Sequence, residues 1–435
     1  MISQNAINYT FQQLLKVALP DFDSSFFTIE ASESEYCIHF GQSSITMPKM
    51  NETQWQAFLK GEMQPWVNEA RTEPIPLFGP EDNPFDIITP SFAFLSRYEE
   101  FYAQKSDAYG RFPYQDSLAQ KYGLVEIPIV DEYAMILRRN LCACSPETFT
   151  PTPRKPKVVP THDIDLLYRF DTPFQALKSI FGRDLLINRD MTMVRKSFKE
   201  YRAWKEDIFQ DPYIQSIIEF AKLEHAAGLE PVFFFKSLVE GDEDFTYDIR
   251  DVRMLQIWKE IRQNGGVIGL HGSLESADKA GRLRLERQRL ETEFGPLSED
   301  VTSVRQHYLR AHFTGTPNSL DLWQEAGTPD DYTLGFAERC GFRCGTCHPY
   351  PLYDVRHDRV TDIIEHPLIV MDGTLFDYMK LSVEESKELV MKLKQRCFDV
   401  EGDFVLLWHN HATTREFEPY FREVYLPLVT CDFDL

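Results

Sequence analysis

The chain has 435 residues, enough for one large or two ordinary domains. Hydrophobic residues make up 43% and aromatics 13%, so the chain can build a sizeable core and bulk disorder is excluded. Its 46 Lys and Arg against 68 Asp and Glu give a net charge of −22, a field that repels phosphate backbones, so no nucleic-acid partner is expected.

The opening run "MISQNAINYTFQQLLKVALPDF" lacks a basic start followed by an apolar stretch, so no signal peptide is expected. No run reaches the roughly 18 apolar residues of a membrane span. Eight irregularly spaced cysteines without an export signal read as thiols, and the cytoplasm is the expected compartment. "FFTIEASESEYCIHF" predicts short strands with a turn near Ser32, and "FDIITPSFAFLSRYEEFYA" a buried helix. "GLVEIPIVDEYAMILRRNL" predicts a strand or extended run entering a helix. The prolines of "SPETFTPTPRKPK" mark an extended connector. These signals divide the chain into an α+β N-terminal domain over 1–145, a Pro-rich linker over 146–157 and a second domain over 158–435.

Beyond the connector, strands and helices alternate. "KVVPTHDID" predicts a strand and is followed by a long charged helical region. "DPYIQSIIEFAKLEHAAGLE" predicts a helix capped by Asp211, with Pro212 in its first turn and a stop at Gly228. "PVFFFKS", "VIGLHGS", "VTSVRQHYLR", "HPLIVMDGTL" and "DFVLLWHNH" read as further strands, with "DYTLGFAERCGFRCGT" continuing the series. "MLQIWKEIRQNGG" predicts a helix, and Ser382 with Glu385 forms a capping box before another. Such alternation implies parallel strands with helices outside, here about seven candidates against the eight of a standard barrel.

Polar residues collect at the strand ends, where α/β barrels place their chemistry. Asp163 and Asp165 stand two apart and share a face. His271, Arg305 with His307, Asp372, and His409 with His411 end the other strands. Two aspartates on one face can divide the work of hydrolysis, one holding a metal and one taking a proton. The alternative is that these acids merely cap the next helix. "RCGFRCGTCHPY" contains Cys344, Cys347 and His348 in a haem-attachment spacing, and Cys340 adds a third thiol for a zinc knuckle. Ordinary buried thiols are the favoured reading.

"THDID", "HGSLES", "RQHY" and "LWH", in this order, resemble the motifs of the NodB-homology polysaccharide deacetylases, carbohydrate esterase family 4 in the broad sense. The resemblance covers roughly 156–435. The whole chain is also similar to bacterial proteins of this type that carry an uncharacterised N-terminal domain. The resemblance implies a distorted (β/α)7 barrel that removes N- or O-acetyl groups from a sugar or glycan precursor, a hydrolase of non-peptide carbon–nitrogen bonds. Its cofactor would be a divalent metal, zinc first and cobalt, nickel or manganese as alternatives, and its partner a carbohydrate. On the matching positions it implies Asp163 as base, Asp165 and His271 as metal ligands, Arg305 holding Asp163, and His409 as acid oriented by Asp372. The family's second metal histidine falls on Glu275, which is then a third ligand unless water or His162 completes the shell. His307 stands where the family usually has proline. Tyr308 and Trp408, the aromatic residues inside two of these motifs, are the expected substrate contacts. A barrel that binds sugar without turnover, or an amidohydrolase acting on a small amide, are the alternative functions. The oligomeric state is open.

Overall fold

The computed structural model describes residues 2–67, 75–81, 83, 85–182, 191–295 and 301–430, which leaves part of the predicted charged helical region and one of the eight cysteines, Cys431, outside the described residues. The chain is an α/β protein built on one curled sheet of nine strands. In chain order these are β1 (Lys157–Ile164), β2 (Val232–Phe235), β3 (Val267–Gly272), β4 (Ser303–Gln306), β5 (Asp330–Asp331), β6 (Tyr350–Asp354), β7 (Arg359–Glu365), β8 (Leu368–Met371) and β9 (Asp403–Leu407). Their spatial order is β6-β7-β5-β4-β3-β2-β1-β9-β8. Only the β6–β7 pair is antiparallel. The sheet curls until the Leu368 N–H reaches the Leu334 carbonyl at 3.3 Å, beside the end of β5.

Strands buried on both faces read as unbroken apolar runs, and every residue of β2 is buried. The helices that cover the sheet follow the 3.6-residue rule. Met254–Gln263 buries Met254, Ile257, Trp258 and Ile261, at positions i, i+3, i+4 and i+7. Asp211 caps Pro212–Ala226 by accepting from the Tyr213 N–H, and Ser382 with Glu385 forms the capping box of Val383–Asp399. The antiparallel hairpin of "YPLYD" and "RVTDIIE" has no counterpart among the strands expected from the sequence. "DYTLGFAERCGFRCGT" contributes only its first residue, Asp331, to the sheet, because its backbone then turns away irregularly.

The N-terminal residues form the helix Gln4–Ala18, an antiparallel three-stranded sheet (Phe27–Ala31, Glu35–Phe40, Ser43–Pro48), and the buried helices Ile88–Leu95 and Ile129–Cys144. The helix expected across "SFAFLSRYEEF" breaks at Arg97, whose φ is 54°. The "GLVEIPI" run is a turn, not a strand, before its helix. These elements share one continuous hydrophobic core with the curled sheet. The connector is extended but fastened: Phe149 stacks on Phe27 with ring centroids 5.5 Å apart, and Arg154 binds Asp403 at 2.8 Å.

A buried ion triad ties the two halves of the sequence. Glu100 accepts from Arg97 at 2.7 Å and from Arg343 at 2.7 Å, and Arg97 also donates to the Arg343 carbonyl. Burial alone would raise the Glu100 carboxyl, yet Arg343 and Arg97 hold it below the usual value. Removing one member of a buried ion group leaves uncompensated charge. Glu100→Leu is therefore expected to cost about 3–5 kcal/mol in urea denaturation. A loss within the error of the measurement would show that the triad does not join the halves.

Candidate functional site

The site lies at the C-terminal ends of β1, β3, β4, β8 and β9. Alternation along β1 turns Thr161 and Asp163 to the inside of the curl and His162 to the outside. His162 is bonded there to Glu224 at 2.9 Å and stacked on Phe220, so it does not complete a metal shell. Asp165 follows the last residue of β1.

The register pairs His271 of β3 with Arg305 of β4. Gly269 makes room for this floor, since a Cβ there would sit 2.6 Å from the Phe234 ring. The Arg305 guanidinium lies 4.7 Å above that ring. From there it donates to Asp163 Oδ1 at 3.0 Å, to Thr161 Oγ1 at 2.8 Å and to the Tyr332 carbonyl at 2.9 Å. Asp163 is thus held in one rotamer by a fixed cation.

Three imidazoles converge on Asp165. His271 donates Nδ1–H to the Arg305 carbonyl at 2.9 Å, His307 to Asp244 Oδ2 at 2.6 Å and His409 to Asp372 Oδ1 at 2.7 Å. Each partner only accepts at that contact, which assigns a proton to Nδ1 and turns Nε2 inward. The three Nε2 atoms stand 3.3, 3.3 and 3.5 Å from the Asp165 carboxylate. The Lys236 ammonium is 3.0 Å from Asp165 Oδ1. Burial alone would raise the Asp165 carboxyl, but His307, His271 and Lys236 hold it well below its usual value. Burial would likewise lower His409, but Asp372, Asp165 and Asp163 push it up to about 9. Asp372 is lowered against its own burial by His409.

Asp165, His271 and His307 form a group that could hold a metal ion, with one ligand atom from each within 4.8 Å of the others. His271 Nε2 is buried without a hydrogen bond, and Asp165 Oδ1 makes none of good geometry although the Lys236 ammonium stands 3.0 Å away, so both can serve as ligand atoms. The Nδ1 contacts of both histidines are the outer bonds that orient ligating imidazoles. An O, N, N donor set suits zinc and its divalent neighbours. Glu275 lies elsewhere. It sits in a short helical turn after β3 and pairs with Lys279 at 2.8 Å on the surface. The third group beside Asp165 and His271 is therefore His307, two residues after Arg305, a position to which neither the spacing nor the motif resemblance gives a ligand role. Lys236 and Asp244 carried no sequence signal of their own.

Tyr308 stands at the mouth, 38% exposed, with φ 61°. It stacks on His307 at 4.0 Å and on Tyr109 of the N-terminal half at 4.6 Å, and Arg111 donates to its carbonyl at 3.1 Å. Trp408 corrects the expectation of a substrate contact. It is fully buried, packs on Tyr425 and donates its indole N–H to the Ala412 carbonyl, because alternation along β9 sends it outward under the helices. Cys340, Cys344 and Cys347 are buried free thiols. Cys347 does not join the other two in a knuckle. It donates to Asp131 at 3.3 Å and, with Asp131 and His348, forms a second group of metal-ligating type.

Residues 2–146 match the model of a family of unknown function, DUF7033. No curated protein matches the chain. The chain is similar to the crystal structure of a candidate polysaccharide deacetylase from Mycobacterium smegmatis, with 15% identity, a TM-score of 0.41, and coverage of 65% of this chain and 87% of that one. Among the described residues no helix is long and apolar enough to cross a membrane.

The ligand assignment has a direct check in zinc content after equilibration. Asp165→Ala and His307→Ala are each expected to lower zinc affinity at least about tenfold, as loss of even an outer-shell partner does. Glu275→Ala is expected to leave it unchanged. Zinc lost with Glu275 and kept without His307 would reverse the assignment.

Proposed function

We propose that the chain is a metal-dependent hydrolase that removes an acetyl group from the nitrogen or oxygen of a carbohydrate. The observation that carries this reading is the division of labour around Asp165. One side holds a candidate divalent-ion group, and the other holds a base and an acid, each fixed by its own partner. The motif resemblance supplies the substrate class.

A divalent ion, when bound, would lower the pKa of a water and polarise the acyl carbonyl. Asp165, His271 and His307 would hold it. Asp163, held in place by the Arg305 guanidinium at 3.0 Å, takes the proton from the attacking water. His409 faces Asp163 across the cage and carries its proton on Nε2 at neutral pH, because Asp372 and the other acids favour the imidazolium. It gives that proton to the departing amine or alcohol. Asp372 binds both the His409 ring at 2.7 Å and its backbone N–H at 2.8 Å, so the acid cannot swing away. Tyr308, stacked between His307 and Tyr109, presents its exposed edge to a sugar at the mouth. Residues 158–435 are the hydrolytic barrel in this reading, and 1–145 a unit that borders its mouth through Tyr109 and Arg111.

The test is acetate release from a panel of N-acetylated and O-acetylated glycans and sugar nucleotides, followed against pH. His409 must be protonated to act, so kcat/KM is expected to fall as pH rises through about 9. Asp372→Asn removes the charge that raises His409 and should move this alkaline limb to lower pH. No acetate from any substrate by the zinc-loaded protein would contradict the reading, and an unmoved limb would contradict the role of His409.

A further inference from the structure

Hydrolysis leaves Lys236 without a task. The residue follows directly on β2, and its backbone N–H donates to the Tyr247 hydroxyl at 2.8 Å, which fixes its main chain. Its side chain is 2% exposed. The ammonium stands 3.0 Å from Asp165 Oδ1 and 3.3 Å from His307 Nε2. These are two of the atoms that a divalent ion needs. A lone pair on Nε2 can serve an N–H donor or a metal, but not both, and two cations on one carboxylate oxygen repel each other strongly in a buried site.

The cage contains a second place for the ammonium. Asp244 accepts at Oδ2 from His307 Nδ1–H at 2.6 Å and from the Leu274 N–H at 3.2 Å. Its other oxygen, Oδ1, is buried with no hydrogen-bond partner. Lys236 already lies close enough to favour the charged form of Asp244.

We infer that Lys236 is a tethered cation that occupies the metal position of this cage, and that a divalent ion binds by displacing it from Asp165 and His307 onto Asp244 Oδ1. The inference rests on the proposal that Asp165, His271 and His307 are the metal ligands. In the metal-free protein the lysine neutralises Asp165, so the cage stays folded without an ion. In the metal-bound protein it pairs with the acid that orients His307. Metal affinity is then lower than the same donor set would give alone, and the ion is exchangeable.

The experiment is equilibrium competition for zinc between a chromophoric chelator and the full-length protein. The proteins compared are wild type, Lys236→Met and Lys236→Arg, with circular dichroism melts to confirm folding. Lys236→Met keeps most of the volume and removes the cation, and is expected to bind zinc at least about tenfold more tightly than wild type. Lys236→Arg keeps a cation and is expected to gain no affinity. If Lys236→Met does not fold, Lys236→Gln takes its place with the same expectation. Zinc binding by wild type that is equal or weaker in the neutral variant overturns the displacement and leaves the metal group standing. Zinc binding by none of the proteins overturns both.

Discussion

A single carboxylate, Asp165, gathers three imidazole Nε2 atoms and an ammonium around it at 3.0 to 3.5 Å. Burying a carboxylate is costly, and only close, well-oriented partners offset the loss of water. The orientation comes from outside the cage, where a backbone carbonyl, Asp244 and Asp372 each fix one ring. Those acceptors sit on different strand ends and loops, so the cage exists only when the sheet has curled in its observed register. A one-residue slip between β3 and β4 would part His271 from the Arg305 carbonyl and turn Arg305 away from Asp163. The packing beneath, with Gly269 clearing space for Phe234 and Phe234 supporting Arg305, is what such a slip would destroy.

The same register explains what the sequence made legible. Asp163 and Asp165 announce themselves by spacing and by their place at the end of an apolar strand. The pairings of Arg305 with Asp163 and of Asp372 with His409 are what the motif resemblance implies, and strand spacing alone does not specify them. Glu275 failed as a neighbour for a local reason. The chain enters a helical turn after His271, and the side chain at that position faces solvent and a lysine one turn later. His307 takes its place because the turn after β4 holds Tyr308 and Leu309 at φ of 61° and 55°, which no periodicity in the sequence indicates. Lys236 reads as a polar end to a buried strand and Asp244 as one acid in the acid-rich run "GDEDF". Only closure of the fold brings them together. Trp408 shows the opposite error, in which a residue beside a site residue in sequence lies on the other face of the strand.

The N-terminal half is as much a part of the site's support as of its border. It shares the core of the curled sheet, and the Arg97–Glu100–Arg343 triad and the Asp131 bonds to Thr346 and Cys347 hold the segment between β5 and β6. That segment has little regular structure and would otherwise leave its polar backbone unsupported. At the mouth, Tyr109 of the N-terminal residues stacks on Tyr308 and so borders the candidate site.

The claim on which the account turns is that the cage around Asp165 takes the metal, and not the second group formed by Asp131, Cys347 and His348. X-ray absorption on the stoichiometrically zinc-loaded protein distinguishes the two. The account predicts two imidazole ligands with nitrogen and oxygen scatterers at about 2.0–2.1 Å and no sulfur. A sulfur scatterer at about 2.3 Å with a single imidazole would place the ion at Cys347 and contradict it.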